Sequence, residues 1–426
     1  MQDRMIRRAV LGASASLVVA SAALLVGSAQ AAEPIKIGLG MAQTGPLAVF
    51  GKAAIVSMKI WEEETNAKGG LIGRPVKLIY YDDQSSGANV PGIYTKLIDV
   101  DKVDIAVSGY ATNMIAPAMP IMIQKNRTFL SLFGMEVNKE FKYPRYFSMV
   151  PLGPGGGEAF ALEFFNAAAT LNPKPTTVAL VGADAEYPHK ALAGARKAAQ
   201  AAGLKIVYDK TYPPPPAITD YSPILRAIQA TNPEIIFVAS YPADSVGMVR
   251  AANEIGLKAR MFGGGMVGLQ SVAIKSQLGP QLNGIANYDF WLPAPTMNFP
   301  GVHEHLKKYQ AKAAAEGVDP FGYYLPPFAY GQMQILAQAV EAAKSVDQEK
   351  LAAAMRGNTF KTIVGDIKFG KDGEWDKGRV ILTQYSGIKG GGDIEQFRGM
   401  DVTKIVAPAQ YKTGELMAPY HEVRSK

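Results

Sequence analysis

The chain has 426 residues, no cysteine, and a formal charge of +7 that is not gathered into any stripe. Disulfides, thiol catalysis and lipid attachment through an N-terminal cysteine are thereby excluded. A dispersed charge of this size gives no reason to expect a nucleic-acid partner.

At the N-terminus, Arg4, Arg7 and Arg8 precede an uncharged stretch from Ala9 to Ala29, and Ala29-Gln30-Ala31 has the small-x-small form of a cleavage site. This order reads as a secretory signal peptide cut after Ala31, with an uncleaved membrane anchor as the alternative. No later segment is long and apolar enough to span a bilayer, so the mature chain is expected to be soluble. Its length suits two domains rather than one core.

From Ile35 onward short β-rich runs alternate with helix-like segments. The runs are Ile35–Leu39, Val76–Tyr81, Asp104–Val107, Thr177–Val181, Lys205–Tyr208 and Glu234–Ala239. They are continuously apolar, as strands buried on both faces are. Met333, Leu336, Ala337 and Val340 form the i, i+3, i+4, i+7 stripe of a core-facing helix. A further helix is expected to open at Asp220-Tyr221-Ser222-Pro223, with Ser222 as cap and Pro223 in the first turn. Such alternation predicts an α/β fold with parallel sheets.

"VPLGPGGGEAF" (150–160) and "YDFWLPAPTMNFPG" (288–301) interrupt the pattern, which suggests two lobes joined by more than one crossing. "YPPPP" (212–216) reads as a stiff surface loop. Beyond Gly399 there is little periodicity, and the segment is expected to run as a tail along the surface.

Catalytic constellations are poor. His303-Glu304-His305 has i, i+2 spacing, whereas metal-binding pairs on a helix need i, i+4, so a solvated helix face is expected. Asp82-Asp83 suits a turn. Gly38-Leu39-Gly40 resembles the start of a dinucleotide fingerprint, but Gln43 stands where its third glycine belongs. No enzyme activity, cofactor or metal site is read from the chain. What stands out is a set of aromatic and small polar residues at the carboxyl ends of predicted strands: Tyr110, Thr112 and Asn113; Phe133 and Met135; Tyr187 and Tyr241. In open α/β sheets, ligands bind at such ends.

"MAQTGPLAVFGKAAIVSMKIWEEETNAKGGLIGRPVKLIYYDDQS" (41–85) resembles the N-terminal signature of periplasmic solute-binding proteins of the branched-chain amino acid type, which serve ABC importers. "NPEIIFVASYPADSVGMVRAANEIGLKARMFGG" (232–264) and "TIVGDIKFGKDGEWDKGRVILTQY" (362–385) resemble its later segments. The resemblance implies two doubly wound parallel-sheet lobes joined by three crossings, a type I periplasmic binding protein that closes on a small solute. The expected division is 32–149 with 290–358 as the first lobe, 150–289 with 359–399 as the second, and 400–426 as the tail. It further implies a monomer whose partner is a membrane permease. Carried over, the binding positions are Phe50, Thr112, Asn113, the turn at Phe133 to Met135, Tyr187, Tyr241 and the aromatic wall at Tyr324. Thr112 and Asn113 match the stretch that holds a ligand carboxylate, and a helix expected from about Ala116 would lend its positive end.

Two departures bear on the solute. The acid that pairs with a ligand ammonium in the family's amino-acid binders aligns within Gly264-Gly265-Met266, and the expected threonine-like hydroxyl is Met135. The glycines of "RMFGGGMVGLQ" are therefore read as replacing a bulky acid and leaving room, with Gly265 at the centre. An aromatic carboxylate without a free amino group is one expectation. A neutral or branched-chain amino acid, or a small amide or urea, are the others. A ligand-sensing module of a signalling receptor would share the fold.

Overall fold

The computed structural model describes residues 32–424. The expected signal peptide lies outside the described residues. Among them no helix is long and apolar enough to cross a membrane.

Five strands build the first sheet: β1 (Ile35–Gly40), β2 (Val76–Tyr81), β3 (Ile105–Val107), β4 (Phe129–Ser131) and β5 (Tyr146–Ser148). Their order is β2-β1-β3-β4-β5 and every pairing is parallel. Order reverses at β1, which places a crevice beyond the carboxyl ends of β1 and β3. β1, β3, β4 and β5 are almost wholly buried, which is why they read as apolar runs rather than alternating ones. The helices Ala48–Ala67 and Leu325–Ala343 pack on each other over this sheet. Met333, Leu336 and Val340 of the predicted stripe are fully buried.

The second sheet holds β6 (Thr177–Ala183), β7 (Lys205–Tyr212), β8 (Ile235–Ser240), β9 (Met261–Met266) and β10 (Ala286–Asp289), all parallel. A separate hairpin, β11 (Thr359–Thr362) and β12 (Gly365–Lys368), follows the helices of the first lobe. Then β13 (Ile381–Tyr385) and β14 (Thr403–Ala407) return to extend the second sheet antiparallel, in the order β14-β13-β10-β9-β8-β6-β7. The chain thus passes between lobes three times: after β5, after β10, and between β12 and β13.

Four expectations need correction. The hairpin belongs with the first lobe, not the second: Gln334 Oε1 accepts from Ile363 N at 2.8 Å, and Phe369 packs 5.1 Å from Phe147. The segment beyond Gly399 is not a surface tail throughout, because β14 is an edge strand and Tyr420 is completely buried. At the helix Ser222–Ala230, Ser222 is the first helical residue and not the cap: Tyr221 holds the N-cap position without a side-chain cap bond, and Asp220 accepts from Ser222 N at 2.9 Å. His305 does not face solvent; it is 3% exposed and its Nε2 lies 3.0 Å from Ser57 Oγ. Asp82 does serve the turn, accepting from the backbone N–H groups of Gln43, Thr44 and Gln84.

Candidate functional site

The carboxyl ends of β3 and β4 are continued by a single parallel bridge between Tyr110 and Phe133. Ala111 then takes φ 85° and ψ 143°, a conformation that costs a residue with a Cβ about 1–3 kcal/mol and is kept where surrounding structure imposes it. The turn starts a helix at Thr112, not near Ala116 as expected: Thr112–Ile115 is already helical. Thr112 and Asn113 are therefore first-turn residues, whose N–H groups have no acceptor within the helix. The Thr112 hydroxyl accepts from Met135 N at 3.1 Å and so ties the two first-lobe turns together.

Across the crevice, Tyr187 stands in the first turn of the helix Glu186–Ala201, and Tyr241 directly precedes the helix Pro242–Glu254. The Tyr187 hydroxyl donates to the Gly265 carbonyl at 2.8 Å, and the Tyr241 hydroxyl donates to Asn113 Oδ1 at 2.9 Å. Tyr288 and Phe290 come from the end of β10, and Tyr324 precedes the helix Leu325–Ala343. The hydroxyls of Tyr110, Tyr324 and Tyr288 form a chain, 3.3 Å for the first pair and 3.0 Å for the second.

These side chains line a narrow space between the lobes, part of it continuous with solvent. Seven of the ten sequence-derived positions line it: Tyr110, Thr112, Phe133, Met135, Tyr187, Tyr241 and Tyr324. The other three stand one layer back. Phe50 packs edge-on against Tyr110 and Tyr324 at 5.6 and 5.3 Å, Asn113 holds Tyr241, and Gly265 holds Tyr187. Sequence reasoning missed Ala111, Val150, Phe160, Val267, Tyr288 and Phe290. Four of those lie in or beside the two Pro/Gly interruptions, which mark the crossings where both lobes meet; that signal was available.

The glycine run needs the main correction. A Cβ on Gly265 would stand 2.9 Å from the Tyr187 hydroxyl and 3.2 Å from the Phe160 ring. On Gly264, at φ 111°, it would lie 2.4 Å from the Phe237 ring, and on Gly263 it would meet the Ala286 carbonyl at 1.9 Å. The glycines thus admit aromatic rings and a neighbouring strand, and the space beside Gly265 is filled rather than left open.

No side chain lining the cavity is charged. Of the acids near the lining in sequence, Glu136 pairs with Lys139 and Glu186 with Lys190, while Asp244 and Asp289 are buried. Asp244 is fully buried, accepts from the Tyr212 hydroxyl at 2.7 Å, and is raised to about 6 by burial. Asp289 accepts from Phe290 N at 2.7 Å; burial pushes it up to about 7 against the pull of Lys275. Burial also drives Tyr110, Tyr187, Tyr241, Tyr288 and Tyr324 above the ordinary phenol value, so all five stay protonated donors at neutral pH. Among the described residues no group of His, Asp or Glu could hold a metal ion.

Two lobes around such a cleft agree with a match to the family model described as "Periplasmic binding protein", over residues 34–386. The chain belongs to the periplasmic binding protein family. A relative from Pseudomonas aeruginosa, the "Leucine-, isoleucine-, valine-, threonine-, and alanine-binding protein", is 24% identical over 357 residues, covering 81% of this chain and 88% of its own. The branched-chain amino acid transporter substrate binding protein of Streptococcus pneumoniae, solved with isoleucine, superposes with a TM-score of 0.70 at 19% identity, covering 88% and 100%. A solute binding protein of an ABC transporter from Rhodopseudomonas palustris, solved with p-hydroxybenzoic acid, also gives 0.70, at 20% identity and covering 84% and 95%. At these identities the solved structures speak for the fold alone. For this periplasmic binding protein, β14 and the buried Tyr420 lie beyond the residues the family model matches.

Proposed function

We propose that this periplasmic binding protein is the receptor subunit of an ATP-driven importer, acting as a monomer. Its cleft captures a small carboxylate with a flat or apolar body and no free ammonium, an aromatic acid being the best fit. The observation that carries this reading is the composition of the cavity wall: aromatic and aliphatic side chains, hydroxyls, and no charge of either sign. A buried ammonium without a carboxylate loses a charge-assisted hydrogen bond and keeps a desolvation cost of several kcal/mol. A carboxylate, by contrast, would meet the Thr112 hydroxyl and the first-turn backbone N–H at Thr112, at the start of a turn of helix. Ring walls add roughly 0.5–1.5 kcal/mol per well-placed aromatic contact.

Binding would start on the first lobe, and Tyr187, Tyr241 and Tyr288 would complete the wall as the second lobe closes by hinge motion. Only a solute touching both lobes favours closure. A second reading, a neutral branched-chain amino acid, is favoured by the printed name of the Pseudomonas relative. A thermal-shift screen of the mature protein separates the two. Benzoate and phenylpropanoate raising the melting temperature more than leucine would support the aromatic acid; an equal or larger leucine shift would remove it.

A further inference from the structure

The three crossings between the lobes meet at Arg379, which lies on the third. Its backbone N–H donates to the Pro151 carbonyl of the first at 2.8 Å. Phe299 of the second and Trp375 of the third hold their rings 4.5 and 5.3 Å from its guanidinium carbon. The residue is only 9% exposed, and its Nε and Nη2 are buried with no hydrogen-bond acceptor among the described residues. Trp375 Nε1, in the same cluster, is a third buried donor in that position. Ring faces attract the cation but leave its in-plane N–H groups unanswered.

Among the described residues no carboxylate pairs with this charge. Burial lowers Arg379 to about 10 while the Tyr411 phenol pulls upward, so the side chain stays a cation at neutral pH. Glu374 is near it in sequence, but Glu374 bonds to Ser148 and burial pushes it up to about 8, which leaves it neutral. Nε and Nη2 form the edge of the guanidinium that grips two oxygens at once. Elsewhere in this chain that edge is filled. Arg196 gives Nε and Nη2 to the Asp209 carboxylate at 2.6 and 2.8 Å, and Arg398 gives them to Glu395 at 2.5 and 2.8 Å. Both of those pairs are solvent-exposed. At Arg379, where burial makes an uncompensated charge most unfavourable, the edge has no protein partner.

We infer that Arg379 is the centre of an anion site at the junction of the crossings, separate from the solute cavity. It takes a small anion that presents two oxygens side by side, a carboxylate or a phosphate. Arg379 does not line the cavity, and the inference does not rest on what the cleft takes. Gly365 makes room for the cation from the hairpin side, since a Cβ there would stand 3.0 Å from Nη1 and 3.1 Å from the Phe299 ring. An anion on the Nε–Nη2 edge would touch segments that flex when the lobes hinge, which gives it a way in and ties its occupancy to their geometry.

The test is thermal unfolding of the mature protein in sodium acetate and in sodium phosphate against sodium chloride, at neutral pH and equal ionic strength. Acetate or phosphate should raise the melting temperature above the chloride value along a saturable curve, and the larger effect tells a flat ligand from a tetrahedral one. In Arg379→Lys, which keeps the charge and loses the fork, the half-saturating concentration should rise by roughly tenfold or more. In Thr112→Val it should not move, which separates this site from a carboxylate bound in the cleft. Wild type that responds to acetate, phosphate and chloride alike would overturn the inference, and this arm needs no variant to fold. A response kept in full by Arg379→Lys, or lost in Thr112→Val, would overturn it too. Where Arg379→Lys does not fold, wild-type crystals grown with bromoacetate and with selenate decide. An anomalous peak within hydrogen-bond distance of Nε and Nη2 from either anion supports the site, and peaks elsewhere only, or none from both, overturn it.

Discussion

Tyr241 Oη lies 2.9 Å from Asn113 Oδ1, joining the first helical turn of one lobe to the helix entry of the other. Lys190 and Glu140 form a further side-chain bridge between the lobes. The Tyr241 ring also packs 5.6 Å from Tyr187, so the hydroxyl steers a wall of the cavity as well as the contact between lobes.

Tyr241→Phe should therefore weaken solute binding by roughly three- to tenfold, the value of one net hydrogen bond. The loss should appear mainly in the dissociation rate, because the bond is made only when the lobes are together. Stopped-flow binding with a thermal melt of the unliganded variant checks both. An unchanged dissociation rate would mean that the bond does not hold the closed form.

The glycine run separates close packing from mere turn geometry. Gly264→Ala places a methyl group 2.4 Å from the Phe237 ring at a φ of 111°, so the unfolding midpoint should drop by the equivalent of about 2–5 kcal/mol. Gly317→Ala is the control: its φ is 60° with nothing within 4 Å, and about 1 kcal/mol is expected. Gly265→Glu should displace Tyr187 and lower affinity for an aromatic carboxylate. Tighter binding of that solute would contradict the account of Gly265.

His305 predicts a pH effect with a definite sign. Burial lowers it from 6.5 to about 4, with Glu64 pulling upward and Lys308 opposing. Between those two values the unfolded chain holds a proton that the folded chain does not. Stability is then lost as pH falls through this window and recovered above it. His305→Asn removes the titration, so the stability advantage of wild type over variant should shrink by about 2 kcal/mol between pH 7 and pH 4.5. Urea unfolding at the two pH values measures it, and a constant gap would mean that His305 titrates normally.

Tyr420 tests the C-terminal segment. It is fully buried, packs 5.2 Å from Phe262, and lies beside Gly284. Tyr420→Ala should cost about 3–5 kcal/mol of stability while leaving solute affinity unaltered, since the residue is remote from the cavity wall. Denaturant unfolding and calorimetry on the same preparation compare the two effects.

How far the sequence reached can be traced through particular residues. The strands that read cleanly, such as Ile35–Gly40 and Ile235–Ser240, are buried on both faces, so apolar content alone announces them. Thr403–Ala407 did not read as a strand, because it is short, mixed and supported by pairing with β13 rather than by its own pattern. The aromatic positions at strand ends were legible from the architecture of open sheets. What stands opposite a glycine was not: Tyr187, which fills the space at Gly265, comes from 78 residues earlier. His305 looked solvated because its i, i+2 partner is; burial comes from Ser57 and Tyr330, and neither is near it in sequence.

The central claim is that the cleft takes a carboxylate and has no counter-charge for an ammonium. Solutes that differ only in that group test it most directly: 3-phenylpropanoate against phenylalanine, and 4-methylpentanoate against leucine, each titrated calorimetrically into the mature protein. The account predicts that both amine-free acids bind, and that adding the ammonium costs at least tenfold in affinity within each pair. Tighter binding of leucine and phenylalanine than of their deaminated counterparts would contradict it.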